Sequence, residues 1–486
     1  MNPGHRIPRA FALALALLGV AGAGQAQPGA LDLGFANGNG YFGAWFDYLP
    51  GGSSDEVATA IVRHDDGRLT VVGHFAHADG SNRDCGLLRT DADAALYDAS
   101  FLPPLGFGAI AIDNGGDDDD VCMAALDRGA MTVLVAGGSG LLAPGERSGT
   151  LLLLAADGSL DPSFFDDGVF QTVGDLGLYE SGLSVTFERL RAMPDGGVLA
   201  AGQLSRNGAG ERVVLLRLDS ELKIDPAFNG GALMELADAD PGYPDLDFGD
   251  VQVDADGHIA LTATAYDVAD PAVVGRGLLV RLQGDGTPVP GFGKEGRRAI
   301  DACALSAGLA RVGDGYAVAC VPPTPGLLAG IARLDAEGAA LPNFGDGGFS
   351  EIRVGASDAN PISISGGLRS LPELAALPDG GLVGVGTYVV ARSRVSQDGI
   401  TDVVAVRMLA DGRLDPGFGN GGSARYSFGL IRDNRAEHGT ALALVDDSGL
   451  LAIGSRNRPS AGTDSAEFIV ARLHNRGTDV FRDGFE

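Results

Sequence analysis

Apolar positions along this chain fall in short runs broken by glycine. "VLAAGQ" at Val198–Gln203, "VVLLRL" at Val213–Leu218 and "IALTATA" at Ile259–Ala265 are typical. Short runs of β-branched and mixed apolar residues between turn signals predict strands. The uninterrupted amphipathic stretch of about a dozen residues that a helix requires does not recur. Tight turns separate many runs: Asp66-Gly67, Asp195-Gly196, Asp256-Gly257, Asp314-Gly315 and Asp379-Gly380, with looser forms near Arg128-Gly129 and Ser448-Gly449. Asp-Gly suits a two-residue hairpin turn, whose central residues both take positive φ.

The runs belong to a repeat. "AADGSLDPSF" ends at Phe164, and related forms recur as "IDPAF" at Phe228, "VPGFG" at Phe292, "LPNFG" at Phe344 and "LDPGFG" at Phe418, with weaker forms at Phe35 and Phe101. The gaps between successive phenylalanines are 66, 63, 64, 64, 52 and 74 residues, so seven anchors mark seven units. A second fixed point ends an apolar run in each unit: Arg89, Arg217, Arg281, Arg333, Arg407 and Arg472, with Leu153 in the second unit. From Leu153, Arg217, Arg281, Arg333 and Arg407 the next anchor phenylalanine lies 11 residues on, which marks one turn reused.

These markers divide each unit into four strands, A to D; in the third they are predicted near 185–193, 197–203, 211–218 and 231–236. Four-stranded units of this length predict an all-β fold, a seven-bladed β-propeller of four-stranded blades spanning residues 31–477 as one domain. The last unit stops without its fourth strand, and the chain opens with a lone strand near Tyr41 to Phe46. The N-terminal strand is therefore expected to complete the last blade and close the ring, removing two open sheet edges. "DGSLDPSF", "PDGGVLAAG" and "DGRLDPGFGNGG" resemble the delta-60 repeat of bacterial proteins. The resemblance implies a β-propeller and carries over no catalytic residues.

Residues 1–26 read as an export signal: a basic start at His5, Arg6 and Arg9, an apolar stretch from Ala10 to Ala23, and cleavage after Ala26. That stretch is shorter than the roughly 20 residues of a membrane span, so none is expected. A secreted or periplasmic chain follows, with the cell surface as a further destination, and a monomer is expected. With 64 acidic and 35 basic residues, the net charge of −29 repels nucleic acid. In an oxidising compartment two disulfides are expected, Cys303 with Cys320 inside one unit and Cys85 with Cys122 between the first two. Residues 478–486, "TDVFRDGFE", form a C-terminal tail that serves either as a sorting tag or as a final pinned strand.

Strand order puts the A-to-B and C-to-D turns on one face, and the B-to-C and D-to-A loops on the other. The second face carries the length variation, and function usually sits on such loops. Acids gather there: Asp117, Asp118, Asp119 and Asp120 in one loop, Asp238, Asp240, Asp245 and Asp247 in another, with Asp47, Asp55, Asp113 and Asp433 nearby. Asp117 to Asp120 are candidate calcium ligands, with plain solvation as the alternative. No other cofactor is indicated. His74 and His77 have an H-x-x-H spacing but read as a surface loop, not a zinc site.

The expected function is that of a non-enzymatic binding or scaffold protein, engaging a protein or glycan ligand on the acidic loop face. The alternative is a propeller hydrolase or lyase with acidic residues at the channel mouth. Three or more carboxylates or histidines converging in the channel would favour the enzyme.

Overall fold

A computed structural model describes residues 27–475, apart from residues 45, 47–52, 78–81, 113–118, 142–144, 207–209, 238–241, 268–269, 271–274, 324–328, 355–367, 392–399, 429–436, 446–448 and 461–462. The export signal, the C-terminal tail, Asp47, Asp113, Asp117, Asp118, Asp238, Asp240 and Asp433 lie outside the described residues, as does the side chain of Asp55.

The chain is all-β, built from antiparallel four-stranded sheets. Five sheets have four strands each; a sixth contains two four-stranded units joined through one parallel residue pair, Ser184 with Arg147. The third unit comprises Leu183–Ala192, Val198–Arg206, Gly210–Leu218 and Met234–Leu236, hydrogen-bonded in that order. The last unit joins Glu437–Leu444, Gly449–Ser460 and Thr463–His474 to Tyr41–Ala44, so a strand from the start of the chain pairs with one from its end. The A strands are Ser53–Arg63, Val121–Asp127, Leu183–Ala192, Asp245–Val253, Leu305–Val312, Leu368–Ala376 and Glu437–Leu444.

The apolar runs are continuous because each sheet is buried on both faces. Val198 and Ala200 pack toward the second unit, while Leu199 and Ala201 on the same strand pack toward Leu246, Ile259 and Leu261 of the fourth. The anchor phenylalanines Phe35, Phe101, Phe164, Phe228, Phe292, Phe344 and Phe418 are at most 5% exposed and hold the C-to-D turns against these cores.

The A-to-B turns differ from the two-residue type expected. In the third unit Met193 donates to Gly197 O and Gly196 donates to Met193 O, and only Gly196 has positive φ (87°). The turn thus has a type I core followed by a left-handed glycine, and Asp195 instead accepts from Gly197 N at 3.0 Å. In the fifth unit the positive-φ residue is Gly313, one residue before the expected Asp314-Gly315 pair, and Gly315 begins the next strand.

Every A strand contains a register shift against its B strand. Where one residue is skipped, it is Thr59, Met123, Glu188, Gly249 or Thr440; the fifth and sixth strands skip two, including Ala307 and Pro372. Such bulges bend a strand and re-aim the extra side chain. In four units a B-strand glycine makes room for the bend. A Cβ on Gly73, Gly137, Gly202 or Gly454 would lie within 2.0 Å of the carbonyl oxygen of Val57, Val121, Thr186 or His438 respectively.

Candidate functional site

The bulged residues meet. Thr59, Met123, Glu188, Gly249, Ala307, Pro372 and Thr440, one from each unit, line a single cup of ≈ 470 Å³. Its wall is completed by His74, His438, Thr387, Ser306, Ser455, Val57 and Phe248. Met123 and Thr440 lie in the halves of their A strands nearer the loop face, and His74 in the matching half of its B strand, so the cup opens toward that face. A second cavity of ≈ 60 Å³ lies beyond it, lined by Ile61, Ala125, Arg191, Glu373 and Leu442 among others. Thr59, Met123 and Arg189 line both spaces and form the partition between them.

Of the seven bulged residues that line the cup, Glu188 is the one that ionises. Its side chain reaches the cup but is enclosed by the surrounding walls, and this burial pushes its carboxyl up to about 7. Arg189 opposes the shift, while the carboxylates of Asp247 and Glu211 add to it. Glu211 accepts from Tyr266 Oη at 2.5 Å and from Gln203 Nε2 at 3.2 Å. Asp247 is itself raised, by burial and then by Glu211. An acidic group thus stands at the rim beside a carboxyl that is substantially protonated at neutral pH.

His74 is lowered to about 4, mainly by burial, so it stays neutral across the working range. Its Nδ1 lies 3.5 Å from the Cys122 carbonyl, consistent with the tautomer that donates from Nδ1. The expectation of a surface loop for His74 and His77 is corrected: both lie in the strand Leu69–His77, His74 lines the cup, and His77 Nε2 sits 2.9 Å from Asp84 Oδ2.

Beneath Glu188 the ring of residues that follow the bulges is apolar in four units, Ala60, Ala124, Leu309 and Ala441. In the other three it is charged: Arg189, Asp250 and Glu373. Asp250, fully buried, accepts from Arg189 Nε at 3.3 Å, Arg191 Nη2 at 3.0 Å, Val251 N at 2.8 Å and Leu309 N at 2.9 Å. Glu373 lies 4.0 Å from Arg191 and is raised by burial.

The candidate calcium ligands divide. Asp119 is paired with Arg147, and Arg83 lies 3.5 Å away. Asp120 is buried, accepts from Ile112 N at 2.5 Å, and is pushed up to about 6 by burial. Both disulfides are present, Cys85 with Cys122 and Cys303 with Cys320. Among the described residues no helix is long and apolar enough to cross a membrane.

Stacking the seven A strands by bulge exposes Glu188 as an acid in an otherwise neutral column. That signal was available in the sequence, but it requires knowing where each strand skips a residue.

No curated protein matches the chain. Residues 378–418 match the family described as "Domain of unknown function (DUF5122) beta-propeller". Among solved structures, the chain is similar in fold to the polysaccharide lyase Uly1 (10% identity, TM-score 0.47, covering 86% of this chain and 90% of that one). It is also similar to the β-propeller domain of the Trilobed protease from Pyrococcus furiosus (7% identity, TM-score 0.40, 89% and 99% covered) and to the α-L-arabinofuranosidase Arb93A of Fusarium graminearum (11% identity, TM-score 0.41, 76% and 98% covered). Likeness at this level is likeness of fold. The expected non-enzymatic scaffold is corrected on the cup itself: Glu188, His74 and His438 all line it, the three carboxylates or histidines that favour the enzyme. The chain contains a β-propeller domain.

Proposed function

We propose that this chain is an exported hydrolase or lyase that cleaves a glycosidic linkage in the cup, with Glu188 donating the proton to the leaving oxygen. The observation that carries this reading is the one acid in the ring of cup-lining bulges, raised to about 7 by its enclosure. A carboxyl that is protonated near neutral pH and faces a water-accessible recess is suited to general acid catalysis. Hydroxyls from Thr59, Ser306, Thr387, Thr440 and Ser455 fit a polyhydroxylated substrate.

As the C–O bond breaks, the Glu188 proton passes to the departing oxygen. In hydrolysis the sugar fragment takes a hydroxyl from water, whose other proton returns to the Glu188 carboxylate; in elimination it instead loses a C–H proton to that carboxylate. His74, neutral and lining the same cup, orients the water.

The architecture behind this reading is a seven-bladed ring closed by the N-terminal strand. It is supported by the pairing of Tyr41–Ala44 with Thr463–His474 and by the Thr440 Oγ1 donation to Ala58 O at 2.6 Å, which links the last unit to the first. Export is supported by the two disulfides.

The test is a panel of plant, algal and bacterial polysaccharides, scored separately for reducing ends and for unsaturated products. Wild type should cleave at least one, and Glu188→Gln should lose about 100-fold or more in kcat/KM with its fold intact. No cleavage of any member, or a fully active Glu188→Gln, defeats the reading.

A further inference from the structure

The floor of the cup carries a guanidinium that is locked in place and not fully used. Arg189 donates from Nε to Asp250 at 3.3 Å, from Nη1 to the Glu188 carbonyl at 2.9 Å and from Nη2 to the Pro372 carbonyl at 3.3 Å. A guanidinium has five N–H donors. Two therefore have no acceptor among the described residues, and the side chain, 15% exposed, lines the cup. Its orientation is fixed from behind, because Asp250 is held by Val251 N and Leu309 N.

Two guanidiniums, Arg189 and Arg191, share the carboxylate of Asp250 at hydrogen-bond distance, with Glu373 4.0 Å from Arg191 and its charge acting on Arg189 as well. Arg189 is raised despite its burial, by the charges of Asp250, Glu373 and Glu188, so it remains a cation in the recess.

From this we infer that the cup recognises a carboxylate on its substrate through Arg189, so that the substrate class is an acidic, uronate-bearing saccharide. This rests on the cup being the glycan site proposed above. A planar, pre-oriented guanidinium with free N–H groups matches a carboxylate better than a neutral hydroxymethyl group. The partition that Arg189 forms with Met123 and Thr59 closes the recess behind it, so the carboxylate would mark the innermost sugar.

The experiment measures binding of trimers of galacturonate, glucuronate, mannuronate and guluronate, each against the same trimer with its carboxylates reduced to alcohols. The protein is the full chain carrying Glu188→Gln, so that binding is read without turnover. At least one uronate trimer should bind tenfold or more tightly than its reduced form. Adding Arg189→Lys should cut that preference several-fold while leaving the melting temperature near its starting value. Should Arg189→Lys not fold, the comparison of charged and reduced trimers still decides. No preference for any charged trimer, or a preference unaltered in a folded Arg189→Lys protein, overturns the inference. Cleavage of neutral glycans by wild type with no charged preference would sink it and leave the proposed activity standing. Preferential uronate binding without cleavage of any glycan would do the reverse.

Discussion

At the scale of single residues the molecule turns on what a bulge does to a side chain. Glu188 lies in "TFERLRA", where simple alternation reads it as one of many strand polar groups. What sets it apart is the skipped residue in its strand, and that follows from a glycine on the neighbouring strand. Gly202 lets the Thr186 carbonyl approach to where a Cβ would sit 2.0 Å away. Gly202→Ala should therefore force the bulge outward, costing about 1–3 kcal/mol in denaturant unfolding and lowering activity together with stability. The raised carboxyl has a consequence for stability as well. Because its folded value of about 7 lies above the unfolded value near 4.5, protonated Glu188 is favoured in the folded state. That contribution is fully present below about pH 4.5 and is lost as pH rises through 7. Wild type should accordingly lose stability relative to Glu188→Gln between pH 5 and pH 8, on the order of 1–3 kcal/mol after allowing for solvent in the cup. Melting curves of the two proteins across that range measure it; parallel curves would show that Glu188 is not enclosed as described.

Between elements, the repeated arginine at the end of the C strand proves to be a joint between neighbouring units. It meets the aspartate of the following turn, Arg217 with Asp225 at 3.1 Å and Arg407 with Asp415 at 3.1 Å. Each also crosses to the next turn along the chain: Arg217 Nη1 to Gly284 O at 2.5 Å, Arg89 Nη1 to Ala156 O at 2.5 Å, Arg281 Nη1 to Ala336 O at 3.3 Å, and Arg407 Nη1 to Asn475 O. That second contact spans a whole repeat and depends on how two sheets dock, so no local pattern could reveal it. Arg333 departs from the rule and donates to Tyr316 O within its own unit, at 2.8 Å. Arg217→Ala removes both kinds of contact from a side chain only 11% exposed. The expected cost is about 2–3 kcal/mol in equilibrium unfolding, whereas Arg413→Ala, on an exposed pair with Asp411, should cost under about 1 kcal/mol. Equal costs for the two would remove the joint from the description.

For the whole molecule, what was legible was whatever the repeat encodes. The four-stranded units, the C-to-D turn at each anchor phenylalanine and the strand from the start of the chain were open to reading because each leaves a mark at fixed spacing, and both cysteine pairs because strand order puts their ends on one face. The site was not legible, since it is assembled from one residue of each unit and no two of those residues need be near in sequence. The acidic loop face drew attention for its charge, yet the proposed chemistry sits in the cup, where enclosure raises a carboxyl instead of exposing it. The most direct measurement is a crystal structure of Glu188→Gln soaked with a polysaccharide fragment that wild type cleaves. A sugar seated in the cup, with its glycosidic oxygen within about 3.2 Å of the residue 188 side chain, is the predicted result. A fragment bound only on the outer loops or in a groove between sheets, with the cup empty, would contradict it.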